Sequence, residues 1–246
     1  MFKFILKKLN IYLKSFINYI WLSIKVSQTS KKLRYLFSGI SFSNIYIICP
    51  GPSALETVKE LNLLDINNSC IIYVNHGLGL IKSIKHKLPS FILLADSSRA
   101  KQVSKTYSAF IKEVMTIYAP AHLHQKQTKL LNNFDLYLKP NYIFNLNYGL
   151  ASKINPAKFF KPLSKNPSFY GFGTLAISLQ LACLFKPKNI VIYGCDFRAN
   201  KKNQWYFDEK VPLGVERDKN APIIESDINT IKKIIENNQI SITFKN

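Results

Sequence analysis

Residues 45–53 read Ile45-Tyr46-Ile47-Ile48-Cys49-Pro50-Gly51-Pro52-Ser53. Five apolar residues in a row, most of them β-branched or aromatic, predict a strand buried on both faces, as parallel sheets require. Pro50 to Ser53 ends that strand, and Ser53 is placed to cap a helix running from Glu56 to Leu64. The same pattern recurs down the chain. Cys70–Val74 is a second buried strand, ended by Asn75-His76-Gly77. Phe91–Ala95 is a third, ended by Asp96-Ser97-Ser98, and Ile190–Gly194 another, ended by Cys195-Asp196-Phe197. Val114–Tyr118 and Ile240–Phe244 complete the strands. Helices are expected at about 100–112, 122–132 and 174–185, and from Ser226, as cap, to Glu236. Residues 135–167, with four prolines and many Asn and Lys, read as a loop-rich insertion. Strands alternating with helices predict a doubly wound α/β domain over 44–246, whose ligand sits beyond the carboxyl ends of the strands.

Upstream of this domain the chain changes character. The 246 residues hold 34 Lys and Arg against 14 Asp and Glu, a formal charge of +20, and no acid precedes Glu56. Residues 1–43 form a basic segment, with Phe2, Ile5, Leu6, Leu9, Leu13, Phe16, Ile20 and Ile24 mostly three or four apart. That spacing predicts a basic amphipathic helix able to lie on an anionic membrane surface. Each cation there contributes about 1 kcal/mol. Its longest charge-free stretch, Ser15–Ile24, is half of what a spanning helix needs. No cleavable leader is evident, so the expected location is cytoplasmic, peripheral at the inner face of the cell membrane. Nucleic acid is disfavoured as a partner: the excess is mostly Lys, with no zinc-finger spacing and no aromatic RNA-binding motif. With 47% hydrophobic residues the chain is not disordered. Cys49, Cys70, Cys183 and Cys195 lie in apolar runs without a CxxC pair and read as core thiols.

The strand ends carry the chemistry. Gly51 lets a ligand approach the backbone, and the helix start behind it offers N–H groups to a phosphate. The plain alternative is a strand-to-helix turn with a Ser cap. Asn75 can hold a sugar or phosphate oxygen, or serve the turn itself. Asp196 after Gly194 can accept from ribose hydroxyls or cap the next turn. Arg198 can neutralise a leaving phosphate or be a solvated cation. His76 can be a general base or a hydrogen-bonded turn residue. His122 and His124 are two apart and would face different sides of a helix, so no metal pair is expected. Neither G-x-G-x-x-G, nor G-x-x-x-x-G-K-[ST], nor D-x-D occurs, which weakens dinucleotide, P-loop and metal-bridged diphosphate readings.

Read together, these pieces resemble glycosyltransferase family 42, the bacterial CMP-sialic acid-dependent sialyltransferases. Cys49-Pro50-Gly51-Pro52-Ser53 resembles its G-N-G-P-S turn, and Val74-Asn75-His76 its strand-end Asn. Gly173 to Phe197 is similar to its helix–strand G-x-D-F segment, and Trp205-Tyr206-Phe207-Asp208 to its Y-x-F-D element. The pieces fall in order from about residue 45 to 237. The resemblance implies a single Rossmann-like, GT-A-like parallel-sheet domain, a CMP-sugar donor, no cofactor and no metal. It implies that Gly51, Pro52 and Ser53 line the CMP phosphate, that Asn75 contacts the donor, and that Gly194 and Asp196 sit at the cytidine ribose. Asp96 stands where the family has a donor-binding Asn, and Arg198 where it has a Tyr for the leaving phosphate. Tyr206 supplies the second aromatic hydroxyl. The family's catalytic His has no counterpart in Asn220–Asp227. The base then falls to His76, Asp96 or Glu225, or the reaction runs through a carboxylate nucleophile with retention.

The expected activity is transfer of sialic acid, or a related 2-keto acid sugar such as Kdo, from a CMP-activated donor to a cell-surface glycan or lipid-linked acceptor. Two rivals remain: a GPS-motif pterin pyrophosphokinase-like enzyme, and a non-catalytic nucleotide-binding remnant.

Overall fold

A computed structural model describes residues 20, 24, 27–29, 31–63, 67–85, 87–95, 97–118, 142–143, 145–147, 159–161, 168–171, 173–197 and 217–246. Its centre is a seven-stranded, all-parallel sheet. The strands are β1 (Asn44–Ile48), β2 (Ser69–Val74), β3 (Ser90–Leu94), β4 (Met115–Tyr118), β5 (Tyr142–Ile143), β8 (Asn189–Tyr193) and β9 (Ser241–Lys245), in the order β5-β4-β3-β2-β1-β8-β9. β6 (Asn145–Asn147) and β7 (Ser168–Tyr170) form a small separate pair. The helices are α1 (Ala54–Leu61), α2 (Ser97–Thr106), α3 (Thr174–Leu184) and α4 (Arg217–Glu236), with a 3₁₀ run at Asn75–Ser83.

Period-two alternation divides the core between the two sheet faces. Ile45, Ile47 and Cys49 of the β1 segment face one side with Cys70, Ile72, Ile190 and Ile192. Tyr46 and Ile48 face the other with Ile71, Tyr73 and Tyr193. α3 and α4 cover the first face, through Ile177, Leu181, Ile228 and Ile231. α1, α2 and the 3₁₀ run cover the second, through Val58, Leu78 and Val103. α3 is buried from Thr174 to Cys183, which explains why it is apolar all round rather than on one stripe.

The N-terminal segment does not end at the edge of the domain. Residues 31–38 are helical, and Leu33 and Phe37 are buried in the same cluster as α3. Phe37 meets Phe185 edge-on with centroids 4.4 Å apart. Of the amphipathic stripe, Ile20 and Ile24 are helical and exposed; its other positions, the 122–132 helix and most of 135–167 lie outside the described residues. Among the described residues no helix is long and apolar enough to cross a membrane.

Three sequence expectations need correction. The turn expected after β2 is a 3₁₀ helix, because Gly77 lies against the end of β1, where a Cβ would stand 2.2 Å from the Ile48 carbonyl oxygen. α2 starts at Ser97 and stops at Thr106, followed by a run of turns. α4 begins at Arg217, not Ser226, and passes through Pro222.

All four cysteines are buried and unbridged. Burial pushes the Cys70 and Cys183 thiols well above the ordinary thiol range. The reactive thiolate is therefore scarce in the folded chain. Brief iodoacetamide treatment should leave Cys70 and Cys183 unlabelled in native protein and label both in guanidinium, as peptide mass spectrometry would report. Native labelling at either position would contradict the packing described.

Candidate functional site

The sheet order reverses at β1. Chain from β1 runs outward through β2, β3 and β4, whereas β8 lies on its other side. In doubly wound sheets the crevice beyond the carboxyl ends of the two strands flanking such a reversal receives the ligand. Here those ends are Cys49–Ser53 after β1 and Gly194–Phe197 after β8.

The two ends are joined by hydrogen bonds. Cys49 N–H donates to the Tyr193 carbonyl at 2.8 Å and Gly51 N–H to the Gly194 carbonyl at 2.9 Å. The Ser53 backbone N–H donates to Asp196 Oδ2 at 2.8 Å, and the Ser53 hydroxyl lies 2.9 Å from both carboxylate oxygens. Space forces the two glycines. A Cβ on Gly51 would stand 2.3 Å from the Gly194 carbonyl oxygen and 2.4 Å from Asp196 Oδ2. Gly194 adopts φ +66°, and a Cβ there would fall 2.3 Å from that of Ala54.

This junction revises the cap expected at Ser53. The Ser53 side chain makes no cap bond to its own helix. Its hydroxyl is turned to Asp196, whose carboxylate takes the backbone N–H of Ser53, the residue just ahead of α1, and lies at the positive end of the helix dipole. An anion approaching Ser53 would therefore meet a carboxylate already in place.

A second helix start on the same rim is open among the described residues. α3 begins at Thr174 behind Gly173, which has φ +101°, no side-chain cap and open space where a Cβ would be. No acid lies in its first turn. Gln180, buried within α3, holds the preceding strand by bonding both the N–H and the carbonyl of Tyr170. Asn75, at the end of β2 with φ +49°, donates its amide to the Thr174 hydroxyl at 3.1 Å. Its Oδ1 is buried and has no hydrogen-bond partner among the described residues. Asn is one of the few residues besides Gly that tolerates this conformation. Sequence reasoning named Asn75 but missed Gly173, Thr174 and Gln180. The signal was a Gly-x-Gly-Thr ahead of an apolar helix, a helix start as legible as the one at Ser53.

His76 does not join this junction. His76 is 1% exposed and meets the Tyr107 ring edge-on at 5.8 Å. A base must reach its substrate's proton, and this packing withholds the imidazole from it. Glu225 is half-buried within α4. Pro52 is half-buried in the turn beside Ser53. Asp96, His122, His124, Arg198 and Tyr206 lie outside the described residues.

No known protein family matches the sequence, and no curated protein does. Among the solved structures similar to the chain are two transferases. One is the sialyltransferase CstII from Campylobacter jejuni, in complex with a substrate analogue, cytidine-5′-monophosphate. It is 14% identical at a TM-score of 0.46, over 84% of this chain and 81% of that one. The other is the MAf glycosyltransferase from Magnetospirillum magneticum AMB-1, 12% identical at a TM-score of 0.42, over 77% of this chain. This chain spans 30% of that larger protein. At such identities and TM-scores function has to be argued from the residues on the rim.

Proposed function

We propose that the chain is a glycosyltransferase that takes sialic acid, or a related 2-keto acid sugar such as Kdo, from a CMP-activated donor and passes it to a surface glycan or lipid-linked acceptor. The observation that carries this reading is the convergence at the strand reversal. Ser53, Asn75 and Asp196, drawn from three motif pieces that resemble one sialyltransferase family, stand on a single rim beside an open helix start. Asp196 and the Gly51–Gly194 contact would receive the cytidine ribose. The uncapped α3 start, flanked by Asn75 and the Thr174 hydroxyl, suits an anionic group of the donor, its phosphate or the sugar carboxylate.

The glycosidic bond breaks with oxocarbenium character, so the leaving phosphate needs compensation as charge develops. Arg198 and Tyr206 follow β8 in sequence and take that role in this proposal. Asp96, just beyond β3, takes the role of base, since His76 is packed away. The enzyme would act at the cytoplasmic face of the inner membrane, held there by its basic amino-terminal segment.

The test is a donor-hydrolysis and CMP-calorimetry screen with CMP-sialic acid and CMP-Kdo. The unmodified chain should bind CMP and release it from one of the two donors. Asn75→Gly preserves the backbone conformation and should fold normally, yet lose most donor turnover. Absence of CMP binding by the unmodified chain, or full turnover in that variant, would refute the reading.

A further inference from the structure

The end of the sheet opposite the crevice has a character of its own. The helical stretch 31–38 sits there, fixed by Phe37 against Phe185 and Phe91. With Leu33 and Phe37 inward, Lys31, Lys32 and Arg34 are exposed. The loops entering the strands at the same end add more cations. Lys85 and Lys87 precede β3, Lys186 and Lys188 precede β8, and all four are exposed. Lys188 is tied to the chain leaving the helical stretch, its N–H donating to the Ser43 carbonyl at 2.9 Å. Of the described acids in these entering loops, only Glu113 is present, beside Lys112 in sequence.

Exposed apolar side chains share this end. Tyr35 and Leu63 are each 86% exposed, the highest among the described large hydrophobics, and Ile40 is also exposed. Tyr35 lies on the helical stretch and Leu63 just past α1, before β2. Burying neither in the core costs the fold stabilisation that burial would supply. Cations interleaved with exposed aromatic and aliphatic groups match an anionic bilayer, which offers negative headgroups and an apolar boundary at one surface. A nucleic acid would use the cations but leave Leu63 and Ile40 in water.

We infer that the amino-terminal end of the sheet is a membrane-docking face, built jointly by residues 31–40 and by the loops before β2, β3 and β8, and that it binds anionic phospholipid. The face belongs to the folded domain and not to the amphipathic segment alone. It lies a strand length, about 17 Å for five residues, from the rim that carries Ser53 and Asp196. Docking by this face turns the crevice away from the bilayer. If the crevice is the transfer site proposed above, the sugar acceptor is a glycan extended from its lipid.

Full-length protein is sedimented with vesicles of phosphatidylglycerol and phosphatidylcholine, and with phosphatidylcholine alone. Binding should occur only to the anionic vesicles and weaken as salt screens it. The double variant Lys87→Gln/Lys188→Gln changes two exposed loop residues far from the crevice. It should weaken vesicle binding about 25-fold, at about fivefold per lost cation. CMP calorimetry on the same variant should be unchanged, so failure of docking and failure of the proposed activity read out separately. Unaltered vesicle affinity in the double variant would overturn the inference. So would equal binding to neutral vesicles, or displacement from anionic vesicles by competing duplex DNA at low concentration.

Discussion

Gly194→Ala should lower the thermal midpoint by roughly 6–12 °C, because it combines a strained dihedral with a steric clash. Gly194 is held at φ +66°, where an L side chain costs about 1–2 kcal/mol. The new methyl would also press within 2.3 Å of the Ala54 Cβ and 2.8 Å of the Cys49 carbonyl oxygen. Overpacking of this kind costs about 1–3 kcal/mol. Neither neighbour can give way cheaply. Ala54 is the fully buried first residue of α1, and the Cys49 N–H is fixed to the Tyr193 carbonyl. A sum near 3 kcal/mol, at about 2–4 °C per kcal/mol for a chain of this size, gives the stated shift. Gly194→Asn separates the two causes. Asn tolerates the dihedral but still brings a Cβ, so it should fare little better than Ala. Recovery with Asn would mean that the dihedral, and not the space beside α1, dictates the glycine.

The strands were legible in the sequence because each is a short apolar run cut off by a turn signal, and burial on both faces leaves no other place for such runs. β1, β2, β3 and β8 fall within a residue of their expected bounds. α3 was legible for the same reason, being apolar on all sides. What failed were elements set by tertiary contact. The 3₁₀ helix after β2 follows from Gly77 lying on the Ile48 carbonyl, which no local pattern announces. The start of α4 was misplaced because Pro222 and Ser226 both look like boundary signals, and neither ends the helix. At the site, Ser53 and Asp196 were each visible as strand-end residues. Their bond was not, because 143 positions separate them and only the sheet order makes them neighbours. Local grammar assigned the helix cap to Ser53, whereas the fold supplies it from across the crevice.

That bond supports the second large effect. Asp196→Ala should destabilise the chain by about 2–3 kcal/mol, because it leaves the Ser53 N–H and hydroxyl without their acceptor and uncaps α1. Ser53→Ala removes only the hydroxyl and should cost about 1 kcal/mol. If the two side chains act as one unit, the double variant should be no less stable than Asp196→Ala, a coupling that urea denaturation of all four chains measures. Simple additivity would mean that the hydroxyl and the carboxylate contribute independently. Asp196→Asn then distinguishes a cap from a ligand contact. Its amide oxygen can still accept from the Ser53 N–H, so most of the stability should return. Donor turnover should stay low, because an amide oxygen is a weaker acceptor for ribose hydroxyls than a carboxylate, whose charge strengthens the bond. A variant that regains turnover together with stability would make Asp196 a structural cap alone. The ribose would then have to be held elsewhere on the rim, with Asn75 and Thr174 the nearest groups of the right chemistry.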